Sequence, residues 1–185
     1  TYEQNVTGTA VLLAAMADAG VDRIVFSSSA AVYGTPDTDL VTESTATAPE
    51  SPYGESKLIG EWLLRDQGVA AGLHHVSLRY FNVVGSADPA VWDASPHNLF
   101  PLVFAALTDG NTPRINGTDY ATPDGTCVRD YIHVGDLAET HAAAALALDA
   151  GRELQPVYNL GSGDGVSVRQ LLDANARGTG INFAP

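Results

Sequence analysis

The chain has 185 residues, 45% of them hydrophobic and 17% charged, with a formal net charge of −13 and a pI near 4.4. That acidity excludes a nucleic-acid backbone or an anionic membrane surface as partner, because both need a basic face. A single cysteine, Cys127, excludes an internal disulfide framework and fits a reducing, cytoplasmic compartment.

The predicted elements alternate between helices and short β-branched strands. Residues 3–19 predict a helix, with Val6, Ala10, Leu13 and Ala17 at helical spacing and Gly20 as its stop. Residues 23–28 predict a short buried strand, and a polar loop follows over 34–50. Ser51 reads as an N-cap with Pro52 at the first helical position, opening a helix to about residue 71. His74-His75 falls in a loop before a strand over 75–80. An irregular loop over 84–96 leads to a helix over 97–109, closed by Gly110. After a second long loop, 117–127, residues 129–132 are extended and 134–149 form an alanine-rich helix. Residues 157–160 predict a strand, 161–165 a glycine-rich turn, and Ser167 with Gln170 a capping box for a last helix. This order predicts an α/β layer fold with a largely parallel sheet. No apolar run is long enough to cross a bilayer as a helix.

Lys57 is the only lysine beside eight arginines, and it follows Tyr53 by four residues in SPYGESK. On a helix that spacing puts phenol and ammonium on one face. An ammonium beside a phenol favours the phenolate, which suits proton transfer near neutral pH. Upstream, FSSSAAVYG is a strand entering a hydroxyl-rich turn, and parallel α/β sheets bind ligands beyond such strand ends, which marks Ser29. Downstream come RYFN, NLFP and DGTCVRDYIHVGDL. His74-His75 lacks a third ligand and no metal site is expected. His133 and His141 read as structural, Cys127 as a small buried filler, and GSGDG fits neither GxGxxG nor a P-loop.

Taken together in order and spacing, these pieces resemble the extended short-chain dehydrogenase/reductase family, and within it the UDP-glucose 4-epimerases. The resemblance covers essentially the whole chain. It implies a partial Rossmann-like, doubly wound parallel sheet with part of a smaller substrate-binding domain, NAD as cofactor and a UDP-sugar as substrate. It implies Tyr53 as acid/base, Lys57 holding the nicotinamide ribose and Ser29 bonding the sugar oxygen. It further implies Asn5, Ser27, Ser28 and Phe81 at NAD, and Asn82, Asn98, Leu99 and Arg129 at the UDP-sugar. Helix capping for Asn5 and Asn98, and pairing of Arg129 with Asp130 or Asp136, are the simpler structural alternatives.

On the same resemblance, residues 1–82 are the C-terminal half of the NAD-binding domain and 83–130 a substrate-domain segment. Residues 131–165 return to the sheet, and 166–185 begin the remaining substrate-domain segment. Helices 3–19 and 52–71 are expected to form a homodimer face, with Ala14, Leu58 and Trp62 as surface positions. Related dehydratases carry an Asp-Glu pair after the strand-end hydroxyl, where this chain has Ala30 and Ala31. A 4,6-dehydratase, a decarboxylase and a non-catalytic sensor of NAD or nucleotide sugars are the alternative functions. The chain opens at Thr1 already in helical pattern and stops at Asn182-Phe183-Ala184-Pro185 as a strand starts, as expected of a segment of a longer protein. The family's GxxGxxG turn is not in residues 1–185, so the isolated segment is expected to be aggregation-prone, inactive and free of NAD.

Overall fold

The computed structural model describes residues 1–88, 90–95, 97–181 and 183. A π-helical turn, Glu3–Thr7, runs directly into α1 (Gly8–Asp18). Then follow β1 (Arg23–Ser27), a 3-10 turn (Ala30–Tyr33), α2 (Pro52–Ala71), β2 (His74–Tyr80) and β3 (Asn82–Val84). The chain continues through α3 (Leu99–Thr108), β4 (Val128–His133), α4 (Val134–Asp149), β5 (Val157–Leu160), β6 (Gly165–Ser167) and α5 (Val168–Thr179). The expected strand start over 182–185 lies outside the described residues, except Phe183, which is in no regular element.

Local chemistry accounts for the best-defined boundaries. The Ser51 hydroxyl accepts from Gly54 N at 3.1 Å, Pro52 needs no donor at its position, and Gly72 ends α2 with φ +73°. In α5 the expected capping box is formed: Ser167 Oγ accepts from Gln170 N, and Gln170 Oε1 accepts from Ser167 N.

The residues divide into two compact units, Thr1–Phe81 with Asp136–Leu160, and Asn82–Gly135 with Gly161–Pro185. In the first unit β1, β2 and β5 form a parallel sheet in that order, the α/β arrangement that the element order predicts. Side chains alternate across it. One face carries Val25, Val76, Leu78, Tyr158 and Leu160, which pack with Ala144 and Leu148 of α4. The opposite face carries Phe26, whose ring lies where a Cβ on Gly60 of α2 would sit. Helices therefore cover both faces, which explains why β2 is buried continuously from Val76 to Arg79. A second cluster joins Val32 and Tyr33 of the 3-10 turn to Leu58 of α2. Leu58 is 6% exposed, so its expected surface position is corrected: it faces the turn, while Trp62, one helical turn on, is 47% exposed.

In the second unit β3 pairs parallel with β4, and β4 pairs antiparallel with β6. Neither β3 nor β6 was expected as a strand: β3 falls between the strand expected over 75–80 and the loop expected from 84, and β6 between the turn expected over 161–165 and the capping Ser167. Three-residue strands carry too little periodicity to stand out, and pairing to β4 creates them.

Smaller expectations are also corrected. His74 and His75 belong to β2, because His74 and His75 pair with Arg23 and Ile24 of β1. Cys127 is only partly buried. His75 Nδ1 is buried with no hydrogen-bond partner among the described residues. Burial pushes the His75 pKa below its ordinary value, opposed by the charge of Glu61. The folded state thus binds fewer protons here than the unfolded chain. The associated stability is present above the unfolded value of about 6.5 and is lost as pH falls through it towards the lower folded value. Thermal melts of the full-length protein should therefore show a smaller acid loss in His75→Leu; an unchanged pH profile would contradict this.

Candidate active site

Three short devices assemble the hydroxyl-rich turn and the start of α2 within the first unit. Ser28 N donates to Leu78 O at 2.9 Å, extending the β1 ladder by one residue. Ser29 then caps the 3-10 turn, its Oγ accepting from Ala31 N at 3.1 Å. Gly54, in the first turn of α2, lies so close to Ala31 O that a Cβ there would clash with it. Backbone-to-backbone contact thus seats the Tyr53 end of α2 on the turn that carries Ser29.

Ser29 is only 8% exposed, and its hydroxyl proton has no acceptor among the described residues. It is a directed donor held at a strand's carboxyl end, where parallel sheets meet ligands. Tyr53 is 42% exposed and reachable. Lys57 Nζ lies 5.7 Å from the Tyr53 ring centroid and 5.5 Å from that of Phe26, and it donates to Ser27 O at 3.1 Å. Burial pushes the Lys57 ammonium below its ordinary pKa. That one bond to Ser27 O leaves donors of the ammonium for a ligand.

The remaining residues implied at the cofactor sit nearby in the same unit. Asn5 is not a helix cap: its Nδ2 donates to Ser56 Oγ at 2.9 Å, and Ser56 Oγ donates to Tyr53 O at 2.7 Å. Asn5 thereby steadies the turn that bears Tyr53. Ser27 Oγ lies 2.9 Å from His141 Nε2, and His141 Nδ1 lies 2.8 Å from Leu137 O. A carbonyl only accepts, so His141 Nδ1 carries a proton and donates it to Leu137 O. Ser28 is fully buried and donates to Glu61 Oε1 at 2.5 Å, which turns its side chain inward. Phe81, just past β2, donates its N–H to Leu160 O at 3.0 Å. Burial pushes the Tyr80 phenol above its ordinary pKa, and the nearby Tyr53 adds to this.

In the second unit Asn82 Nδ2 donates to Asp130 O at 3.0 Å. Asn98 occupies the N-cap position of α3 without capping it; its Nδ2 donates to Asp93 Oδ2 at 2.6 Å. Leu99 opens α3 and is partly buried. Arg129 is exposed and makes one described hydrogen bond, to Val128 O at 2.9 Å, and no ion pair with Asp130 or Asp136. Asp130 is otherwise engaged: its carboxylate accepts from Ser162 N, Ser162 Oγ and Gly163 N at 2.7–3.0 Å. The GSGDG segment is therefore a nest already filled by this chain's own carboxylate.

Sequence reasoning missed Glu61, Arg79 and the Ser27 partnership of His141. A signal for Arg79 was present, since a charge in the apolar run HVSLRYF has to find a buried partner. Among the described residues there is no cluster of three or more His, Cys, Asp or Glu side chains suited to a metal, and no helix long and apolar enough to cross a membrane.

The chain is similar to known proteins over nearly its whole length. The chain is 48% identical over 176 residues to the UDP-glucose 4-epimerase of Azospirillum brasilense, covering 92% of this chain and 50% of that one. The crystal structure of UDP-glucose 4-epimerase from Brucella ovis in complex with NAD superposes with a TM-score of 0.86 at 41% identity, covering 95% of this chain and 55% of that one. The enzyme from Bifidobacterium longum in complex with NAD+ and UDP gives 0.84 at 41% identity, over 99% and 57%. The chain spans about half the length of the curated relatives it matches. Residues 1–161 match a family model that takes in the Ser29 turn, the Tyr53–Lys57 helix and the β5 strand alike, and the chain belongs to the NAD dependent epimerase/dehydratase family.

Proposed function

We propose that this chain is part of an NAD-dependent UDP-glucose 4-epimerase and carries its proton-transfer residues. The observation behind this reading is the convergence of a donor hydroxyl (Ser29), a reachable phenol (Tyr53) and a half-buried ammonium (Lys57) at the carboxyl end of β1. These residues fit the nicotinamide end of the cofactor: Lys57 would hold the ribose through its uncommitted donors, flanked by Asn5, Ser27 and Phe81, while the buried Ser28 side chain is committed to Glu61 instead. NAD supplies the redox chemistry at C4 of the sugar when bound. Tyr53 removes the proton of the sugar 4-hydroxyl and returns one to the same oxygen after the ring has turned its other face. Ser29 donates a hydrogen bond to that oxygen as its charge changes. Lys57 keeps a positive charge beside the phenol throughout.

For the nucleotide, Arg129 is the residue we assign to the diphosphate, since most donors of its exposed guanidinium are uncommitted and the fork matches phosphate oxygens. Asn82, Asn98 and Leu99 are assigned to the rest of the UDP-sugar by resemblance. The cytoplasm is the compartment that the lone cysteine fits.

Ala30 and Ala31 follow Ser29 directly and cannot move protons at C5 or C6. The full-length protein should interconvert UDP-glucose and UDP-galactose with no change in product mass. A product lighter by one water, read by mass spectrometry, would instead assign a dehydratase.

Assembly as a homodimer through the π-turn–α1 run and α2 belongs to the same proposal. Its support is apolar exposure on both helices, Val11 and Leu12 on one and Trp62 on the other. Ala14→Arg in the full-length protein should sediment as a monomer, whereas an unchanged dimer would move the interface elsewhere.

A further inference from the structure

The Ser29 turn is a single short 3-10 element. Val32 N reaches Ser29 O at 3.2 Å, Gly34 N reaches Ala31 O at a long 3.4 Å, and 3-10 hydrogen-bond geometry is poorer than α-helical geometry. Yet the turn has to aim one hydroxyl. Beneath it lies an ion pair that the proposed chemistry does not use. Arg79 Nε and Nη2 donate to Glu61 Oε1 and Oε2 at 2.9 and 2.5 Å, and the two side chains are each 7% exposed. Burial pulls the Arg79 guanidinium down, but its hydrogen bonds to Glu61 and Tyr33 and the Glu61 charge outweigh this and hold it above its ordinary pKa.

The pair reaches both ends of the turn. At the leading end Ser28 Oγ donates to Glu61 Oε1. At the trailing end Arg79 Nη1 donates to the Tyr33 hydroxyl at 2.8 Å, with the guanidinium 4.8 Å from the ring centroid. The Tyr33 hydroxyl donates onward to Asn159 Oδ1 of β5 at 2.7 Å. Glu61 also lies one helical turn beyond Lys57 on α2, so the same carboxylate registers the turn against the helix bearing Tyr53 and Lys57. A buried ion pair adds little net stability over well-packed apolar side chains, so stability alone does not account for one here. We infer that Glu61 and Arg79 are positioning residues that clamp the Ser28–Tyr33 turn at both ends and thereby aim the Ser29 hydroxyl. This rests on the proposed role of Ser29.

The test uses the full-length protein. Ser28→Ala cuts the clamp at one end and leaves the ion pair intact. It should lower kcat about 10- to 100-fold, the cost of a misplacement near an ångström. KM for the nucleotide sugar should stay within about twofold, because the misplaced interaction acts in the transition state. In a Ser29→Ala background the same substitution should cost nothing further, since there is no hydroxyl left to aim. An unchanged kcat, or a loss that multiplies with that of Ser29→Ala, would overturn the inference. The double substitution Glu61→Leu with Arg79→Met removes both charges without stranding either. It should reproduce the kcat loss, and a wild-type kcat would overturn the clamp. Tyr53→Phe run in parallel separates the two ideas. Full activity there defeats the assigned chemistry, whereas an inactive Tyr53→Phe beside an unimpaired Ser28→Ala defeats the clamp alone.

Discussion

Tyr53→Phe in the full-length protein should lower kcat by about 10²–10⁴-fold, the range for loss of a positioned acid/base. The substitution deletes one oxygen and keeps the ring. The ring packs with the Lys57 ammonium, whose bond to Ser27 O does not involve the phenol. Tyr53 donates no described hydrogen bond through its hydroxyl, so α2 and the Ser29 turn should hold their places. UDP-sugar affinity, measured by calorimetry, should therefore barely change while turnover collapses. A Tyr53→Phe enzyme within a few-fold of wild-type turnover would sink the assignment of the proton-transfer role. A kcat loss matched by an equal loss of affinity would show that the phenol binds the sugar instead.

The largest stability effect is expected at Glu61. Glu61→Ala leaves the Arg79 side chain, 7% exposed, without its counter-charge. Breaking one side of a buried pair costs about 3–5 kcal/mol, because the remaining charge is stranded in a poorly solvated site. Ser28 Oγ loses its acceptor as well, and the Arg79 bond to Tyr33 compensates only in part. Denaturant titration should show the midpoint falling with little change in slope. A loss below about 1 kcal/mol would mean that water reaches Arg79 freely, against its burial. The Glu61→Leu, Arg79→Met pair should recover most of the loss, since no lone charge remains.

Much of the fold was legible in the residues because the cues are local. Ser51-Pro52 and Gly72 bound α2, and Ser167 with Gln170 opens α5, each through bonds spanning three or four residues. The Tyr53–Lys57 spacing is equally local, since one helical turn puts both on a face whatever lies beyond. Ser29 was legible as a strand-end hydroxyl. β3 and β6 were not, because a three-residue strand exists only through its partner.

The order of the first sheet, β1-β2-β5, shows the boundary clearly. Each of these strands is a short apolar run that its own residues announce. Which face each residue takes follows from pairing register, and that joins positions far apart in the chain. Register puts Leu78 and Tyr80 towards α4 and Arg79 between them towards α2, where Glu61 waits 18 positions earlier. The same alternation brings Ser27 to His141 across 114 positions and Tyr33 to Asn159 across 126. From its sequence alone this protein determined its helices, its strand-end turn and the types of reactive side chain they carry. Only the tertiary structure decided which buried groups hold that turn still, because a charge inside a sheet is defined by the partner that desolvation forces upon it.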